Sequence, residues 1–207
     1  MTNGLDGFGF LAAVIGTLVI SVIVHEYMHG YVAYKLGDMT ASDAGRLTFN
    51  PLKHIDIWLT VLLPLVLILI GAPLLLAAKP VPFQPQNLRN GDNGVGMVGA
   101  AGPLTNLTLA VLASIPLLLG IVSTGVILDI LILFVTINVA LFVFNMIPIP
   151  PLDGSRVLYT IAPDPVRNLL RQIEPYGFFL LIAFIFTGVL SPLLITLNDF
   201  FLNILVP

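Results

Sequence analysis

The sequence predicts an all-α polytopic membrane protein with about four spanning helices and a re-entrant hairpin, and it allows a short β-hairpin at the cytoplasmic face. Of the 207 residues, 57% are hydrophobic and only 9% are charged, and the mean hydropathy is +1.04. Soluble domains carry about 25% charged residues, so this composition indicates a chain surrounded by lipid. Several apolar runs reach the roughly 20 residues that a helix needs to cross a bilayer. We therefore expect one integral membrane domain over residues 1–207, with a core at about 8–160 and a C-terminal part at 165–207.

Charge and cysteine content exclude several classes of protein. The formal net charge is −3, and the eight lysine and arginine residues are scattered along the chain. Without a basic patch, nucleic acid is not an expected partner, whereas membrane lipid is. The chain has no cysteine. Disulfides and thiolate metal ligands are therefore excluded, and any metal must be held by His, Asp or Glu.

The first spanning helix is predicted from about Phe8 to Leu36, with Gly37-Asp38 as its stop signal. In the polar stretch that follows, Arg46-Leu47-Thr48-Phe49 alternates as a short edge strand or hairpin would, and Asn50-Pro51 ends it. A plain interfacial loop fits these residues as well, so both interpretations stay open.

The next apolar stretch, from Ile57 to Ala78, is long enough to span the membrane but contains helix breakers. Pro64 and Gly71-Ala72-Pro73 divide it into two pieces, each shorter than a span. This pattern predicts the re-entrant hairpin. The proline-rich segment from Lys79 to Pro85 cannot be helical, and we expect it to form an extended strap.

Two further spanning helices are predicted from about Gly94 to Gly120 and from Val126 to Met146, as an antiparallel pair joined by a short turn. The first of them opens with glycines and alanines, which permit close helix contact. Three prolines break the chain after the second. Residues from Pro165 to Glu174 are typical of an interfacial amphipathic helix. Tyr176 to Leu205 is predicted to be the last spanning segment, loosened near Gly188 and Pro192.

The motif His25-Glu26-Tyr27-Met28-His29 lies inside the first apolar helix. Residues at i and i+4 share a helix face, so both imidazoles can reach one tetrahedral Zn²⁺ while Glu26 points at the water in the open position. In soluble helices the same pattern also occurs by chance on a solvated face. Here an apolar run leads directly into His25, and ionisable groups at membrane depth are costly enough to indicate function.

A catalytic zinc site needs a third protein ligand. Asp153 is best placed, because it follows the proline-broken helix end and is flanked by Gly154. The alternative is that Asp153 caps a helix starting at Ser155. His54 could gate or transiently bind the metal, although an interfacial histidine beside Lys53 is the simpler interpretation. The remaining acidic candidates are Asp6, Asp38, Asp43, Asp56, Asp92, Asp129, Asp164, Glu174 and Asp199.

Two motifs together resemble the site-2 protease family of intramembrane zinc metalloproteases. They are H-E-Y-M-H at 25–29 and N-M-I-P-I-P-P-L-D-G at 145–154. The sequence A-G-P-L-T-N at 101–106 is similar to the family's middle-helix signature, and the resemblance runs from about residue 10 to residue 160. The segments A-G-R-L-T-F-N-P-L-K-H-I-D and K-P-V-P look like the compact prokaryotic branch that lacks a PDZ domain.

The resemblance implies one Zn²⁺ per chain, held by His25, His29 and Asp153, with Glu26 as catalytic base. It further implies Asn106 and Asn145 near the substrate backbone, where an amide could stabilise an oxyanion, although either asparagine could instead bridge helices. Many members have a helix before the H-E-x-x-H helix. Only 24 residues precede the first histidine of the motif here, so gating by such a helix is not implied.

The chemistry of these residues predicts peptide hydrolysis in a transmembrane protein substrate. Zinc lowers the pKa of its bound water. Glu26 takes the proton of this water and later protonates the leaving amine. A substrate helix must be unwound first, and the strand predicted at Gly45 to Phe49 could hold it extended. The alternative from another class is a zinc-binding membrane transporter or sensor, and a silent scaffold for membrane helices is a third. Glu26 and the lack of an internal repeat favour the protease.

One zinc ion requires its three ligands to lie at one membrane depth, which sets the topology. With residues 57–78 as a hairpin, every basic side chain falls on one face, and the positive-inside rule makes that face cytoplasmic. We expect a multi-pass protein of the cell membrane, with the zinc site nearer the cytoplasm and both termini outside. The basic residues are Lys35, Arg46, Lys53, Lys79, Arg89, Arg156, Arg167 and Arg171.

Overall fold

The computed structural model of the chain describes residues 6–54, 69 and 79–207, and these residues form helices joined by turns. Short 3₁₀ turns occur at Pro51–Lys53, Pro85–Asn87 and Glu174–Tyr176. The α-helices in chain order are α1 (Gly7–Lys35), α2 (Thr40–Asp43), α3 (Gly91–Leu118), α4 (Val126–Asn145), α5 (Asp153–Ile161), α6 (Asp164–Ile173), α7 (Gly177–Thr187) and α8 (Ser191–Leu205).

Four helical segments are long and apolar enough to cross a membrane, which confirms the multi-pass prediction. They are α1, α3, α4 and the continuous segment Asp164–Thr187, in which α6 runs through a 3₁₀ turn into α7. The first three begin and end within three residues of their predicted bounds.

The last apolar segment, predicted over Tyr176 to Leu205 with a loosening near Gly188 and Pro192, is interrupted at these residues. Gly188 has φ +69° and ends α7, because a left-handed residue cannot continue a right-handed helix. The chain restarts at Ser191 with Pro192 in the first turn of α8, which is only 15 residues long. The short helix predicted from Pro165 to Glu174 forms as α6, and it is included in the fourth candidate span because a 3₁₀ turn joins it to α7.

The strand expected at Gly45 to Phe49 is absent, and the part of the chain that the structure describes contains no strand. The Arg46 amide donates to the carbonyl of Ala41 (2.9 Å) and closes a turn after α2. The backbone is thereby used locally and not in a ladder, so these residues form the interfacial loop that was the alternative. The re-entrant hairpin predicted for 57–78 lies outside the described residues and stays a prediction.

Helix α3 lies at the centre of the fold and makes the most extensive contacts, with α4, α1 and α5. Its small residues permit these close contacts, as the sequence predicted. A methyl group on Gly99 would lie 2.8 Å from the Cβ of Arg156 and 3.1 Å from the carbonyl oxygen of Asp153. Helix α5 therefore rests directly on the backbone of α3, which brings its first residue to the face of α3 that also contacts α1.

Candidate metal centre

The structure brings together the three residues that the sequence analysis identified as zinc ligands. His25 Nε2 and His29 Nε2 each lie 3.2 Å from Asp153 Oδ2, and the two nitrogens are 2.9 Å apart. All three residues are buried. Among the described residues, this is the group of histidine and acidic side chains whose ligand atoms converge closely enough to hold a metal ion.

The donor atoms fit a zinc ion in spacing and in chemistry. A tetrahedral ion with bonds of about 2.0–2.1 Å to nitrogen and oxygen places its ligand atoms about 3.3 Å apart, close to the three distances observed. Two imidazoles and one carboxylate are a known ligand set for catalytic zinc, with the fourth position left to water. Asp153 is the first residue of α5 and Leu152 is the cap, so the carboxylate is directed into the group and is not an N-cap.

A glycine makes room for this group on α3. A methyl group on Gly102 would lie 2.6 Å from His25 Nε2 and closer still to His29 Nε2. Both distances are shorter than van der Waals contact, so the metal centre requires a residue without a side chain here. The A-G-P motif at 101–103 thus has a steric reason in this chain.

The two histidines use their other ring nitrogens differently. His29 Nδ1 donates to the backbone carbonyl of Val98 (2.6 Å), and His25 Nδ1 lies 2.6 Å from the side-chain oxygen of Asn106. Metal-binding histidines commonly donate the second ring N–H in this way, which fixes the ring and leaves Nε2 for the ion. Both bonds link α1 to α3.

Asn106 is fully buried and is joined to two residues that the sequence analysis missed. Its amide nitrogen donates to the side-chain oxygen of Asn138 (2.9 Å) on α4 and to the carbonyl of Ser21 (3.4 Å) on α1. These bonds and the His25 contact occupy the amide, so Asn106 in this structure supports a ligand and bridges helices. A polar side chain within an apolar helix was the sequence signal for Asn138.

Glu26 is half-buried on α1, in the turn between the two histidines. Its Oε2 accepts a hydrogen bond of 2.9 Å from the backbone amide of Val81, a buried residue of the extended strap at 79–84. The backbone amide of Gln84 donates to Asp38 Oδ2 (2.6 Å). The strap therefore contacts the glutamate at its middle and is attached to the end of α1 beyond it.

Asp38 is a fully buried carboxylate just after α1. Burial alone would raise its pKa, but hydrogen bonds from Thr40, the Gln84 amide and Asn87 hold the pKa below its usual range. Asp38 thus remains charged at neutral pH. Its hydrogen bonds link Thr40, just after α1, to Gln84 and Asn87 at the C-terminal end of the strap.

The N-terminal end of the strap is held by Arg46 and His54. Arg46 donates to the carbonyl of Lys79 (2.6 Å), and the Lys79 amide donates to the carbonyl of His54 (2.9 Å). The His54 ring is buried, with Nε2 at 2.8 Å from the carbonyl of Thr48. This position differs from the exposed interfacial histidine that was expected, and His54 is not part of the metal-binding group.

The second asparagine of the sequence analysis, Asn145, is on α4. It is half-buried near the end of α4, and its amide donates to the carbonyl of Leu141 (2.9 Å) within the same helix. A cavity of about 480 Å³ opens beside the strap, between α3, α5 and α6, and Phe83 and Arg156 are among the residues that line it.

A buried His-His-Asp group on membrane helices, with an H-E-x-x-H glutamate beside it, defines the class of integral membrane metalloproteases. Comparison with known proteins supports the same class. The model of peptidase family M50 matches residues 118–188, a segment that contains Asp153. No solved structure matches the chain.

Three relatives carry provisional names as zinc metalloproteases. YwhC of Bacillus subtilis is 36% identical over 181 residues, which cover 83% of this chain and 78% of that protein. Rip2 of Mycolicibacterium smegmatis is 28% identical over 193 residues, covering 90% and 71%. A protein of Methanocaldococcus jannaschii is 33% identical over 154 residues, covering 73% and 72%. The chain therefore belongs to peptidase family M50, the site-2 protease family of intramembrane zinc metalloproteases.

Proposed function

We propose that this protein hydrolyses peptide bonds within or near transmembrane segments of membrane proteins. In this proposal His25, His29 and Asp153 hold the zinc ion and Glu26 is the catalytic base. The observation that carries the proposal is the convergence of three ligand atoms from α1 and α5 at 2.9–3.2 Å, with a glutamate next to one of them in the sequence. The transporter or sensor alternative is not favoured, because family membership supports a protease.

The reaction divides between the metal and the protein. Zinc, when bound, supplies Lewis acidity towards a peptide carbonyl and lowers the pKa of a water molecule. Glu26 takes the proton of the attacking water and delivers it to the leaving amine. The Val81 amide donates to Glu26 Oε2 at 2.9 Å. This bond limits the directions in which the carboxylate can point, so the base is oriented before the substrate arrives.

The substrate is a transmembrane segment that reaches the site from the lipid. Its carbonyls are bonded within its own helix, so the segment must unwind before attack. Asn145 retains the role of binding the unwound backbone, since its amide makes only an intrahelical bond among the described residues. For Asn106, the contacts with His25 and Asn138 favour a role in orienting the ligand.

The metal centre lies nearer the cytoplasm in our proposal. His29 precedes Lys35 by six residues, which is about 9 Å along a helix. The segments that carry the basic residues contact one another at this end of the molecule: the Arg89 amide donates to the Leu36 carbonyl, and Arg167 pairs with Asp92. By the positive-inside rule this end faces the cytoplasm.

Labelling of single cysteines tests this orientation, since the chain has none of its own. Cysteines at Ser42 and Asn90 should react with an impermeant reagent from the cytoplasmic side, and one at Ser123 from the opposite side. Labelling of Ser42 and Asn90 from opposite sides would refute both the orientation and the re-entrant hairpin predicted at 57–78.

The catalytic proposal is tested with Glu26→Gln, which keeps the shape of the side chain but removes the base. We expect zinc content equal to that of the wild type and cleavage of transmembrane peptides reduced by at least about 100-fold. Asp153→Ala serves as the comparison and should lose zinc as well as activity. Near-native cleavage by Glu26→Gln would show that another group is the base.

A further inference from the structure

Buried amides connect His25 to the other side of the helix bundle. Asn106 on α3 and Asn138 on α4 are fully buried, as is Ser21 on α1, one helical turn before His25. The bonds run from His25 Nδ1 to Asn106 (2.6 Å), from Asn106 to Asn138 (2.9 Å), and from Asn138 to the hydroxyl of Ser21 (2.9 Å). Three helices are thus joined by side chains at membrane depth, where an unsatisfied polar group is expensive.

Each of these bonds has a direction that can be worked out from one fixed acceptor. The amide nitrogen of Asn138 also lies 2.9 Å from the carbonyl of Phe134. A backbone carbonyl can only accept, so the nitrogen of the Asn138 amide must face Phe134 and the oxygen must face Asn106. An oxygen there requires a donor, so Asn106 must turn its nitrogen to Asn138 and its oxygen to the imidazole.

The chain of bonds ends at the metal ligand. Because the oxygen of Asn106 can only accept, the Nδ1 of His25 must carry the proton. A neutral imidazole with a proton on Nδ1 has its free electron pair on Nε2, the atom that lies 3.2 Å from Asp153 Oδ2. Through two amides and bonds of 2.9 Å, the carbonyl of Phe134 therefore selects the nitrogen of His25 that can bind an ion. The longer bond of 3.4 Å from Asn106 to the Ser21 carbonyl favours the same orientation of the amide.

We propose that Asn138 is a positioning residue that acts through Asn106 to hold His25 in the tautomer that binds zinc. This inference rests on the assignment of His25 as a ligand in the proposed function. His29 does not need such a relay, because the carbonyl of Val98 fixes its tautomer directly. With Asn138 absent, the Asn106 amide nitrogen keeps only its long bond of 3.4 Å to the Ser21 carbonyl. The amide can then rotate, present its nitrogen to His25 and favour the tautomer whose Nε2 is protonated.

The test replaces Asn138 with leucine, which has a similar shape but no polar group. The first readout is the zinc affinity of the full chain in lipid nanodiscs, measured by competition with a chromophoric chelator. We expect a loss of about 10- to 100-fold, as for other residues that support a metal ligand. Asn198→Leu is the matched control, because Asn198 on α8 makes the same bond to its own helix (2.8 Å to Leu194) but is not in the relay.

The second readout is the tautomer itself. The chain contains only three histidines, so ring-¹⁵N labelling and NMR of the stripped protein at alkaline pH can resolve each of them. In the wild type, His25 and His29 should both carry the proton on Nδ1. In Asn138→Leu, His25 should shift towards the Nε2-protonated form while His29 is unchanged. Ser21→Ala should leave both rings unchanged, because the Phe134 carbonyl remains.

Two results would overturn the inference. One is a wild-type His25 with its proton on Nε2, which needs no variant and does not depend on whether Asn138→Leu folds. The other is a folded Asn138→Leu protein with wild-type zinc affinity. Neither readout involves proteolysis. A protein that gives the expected results in both tests but cleaves no peptide would refute the proposed function. The role of Asn138 in fixing the His25 tautomer would still stand.

Discussion

The two histidines proposed as metal ligands share α1 with Glu26, the proposed catalytic base, but different parts of the molecule hold them in place. His25 and His29 are oriented by α3, and Asp153 is delivered by α5, so the ligand set depends on contacts between helices. Glu26 is instead contacted by the strap, through the backbone amide of Val81.

From this difference we expect that variants can lose metal binding and catalysis separately. Helix contacts are distributed over long interfaces, and a ligand can move only if a helix moves. The strap is held by a few side chains near its ends, Arg46 at Lys79 and Asp38 at Gln84. Changes at the helix contacts should therefore reduce zinc affinity, whereas changes at the strap's ends should reduce turnover and leave zinc bound.

Gly102→Ala is expected to have the largest effect of these variants, and the quantity affected is zinc affinity. The added methyl group would lie within 2.7 Å of the His25 ring and would displace both imidazoles. Overpacking costs about 1–3 kcal/mol, and with two ligands displaced we expect zinc affinity to fall by about 100-fold. Chelator competition measures it.

Gly16→Ala is the control for this prediction, because a methyl group at Gly16 on α1 meets nothing within 4 Å. Zinc affinity of Gly102→Ala close to that of the control would mean that the ligands are not confined by α3.

Asp38→Asn should have a smaller effect, which is confined to the strap that contacts Glu26 and leaves the metal ligands unchanged. An amide accepts hydrogen bonds more weakly than a carboxylate, by about 1 kcal/mol per bond. We expect the strap to open more often, the Val81 amide to exchange faster with deuterium, and turnover to fall about three- to tenfold at unchanged zinc content. Asp43→Asn is the matched control, since Asp43 is exposed. Loss of zinc from Asp38→Asn would show that the strap also affects metal binding, and it would contradict the expected separation of metal binding from turnover.

The lowered pKa of Asp38 predicts that the stability of the strap depends on pH. The pKa of Asp38 is lower in the folded protein than its ordinary value, so its charge stabilises the folded state above about pH 4. That contribution is lost as the pH falls through the lowered pKa. Amide exchange at 79–87 should therefore accelerate on acidification in the wild type relative to Asp38→Asn, in which no carboxylate titrates.

Local patterns predicted the parts of this protein that depend on local chemistry. The bounds of α1, α3 and α4 followed from apolar length, and the metal-binding candidates followed from the spacing of His25 and His29 and from the proline break before Asp153. Family resemblance supplied Asn106 near the site. In each case the signal lies within one continuous stretch of the sequence.

Features that depend on contacts between distant segments could not be predicted. Nothing in the sequence near Asn138 indicates that its partner is Asn106, since their pairing requires the crossing of α3 and α4. The contact of Val81 with Glu26 uses a backbone amide, which every residue except proline has. The strand expected at Gly45 to Phe49 failed for a related reason: alternation predicts a strand only where a neighbouring strand supplies partners.

The position of Asp153 has a consequence for how the protein is made. The two histidines leave the ribosome with α1, and the aspartate follows only after α3 and α4 have been synthesised. A chain that has inserted only α1 has two imidazoles and no carboxylate to complete the set. The nascent protein thus acquires its full ligand set only after α3 and α4 have been made, and other membrane proteins inserted beside it meet no finished protease before then.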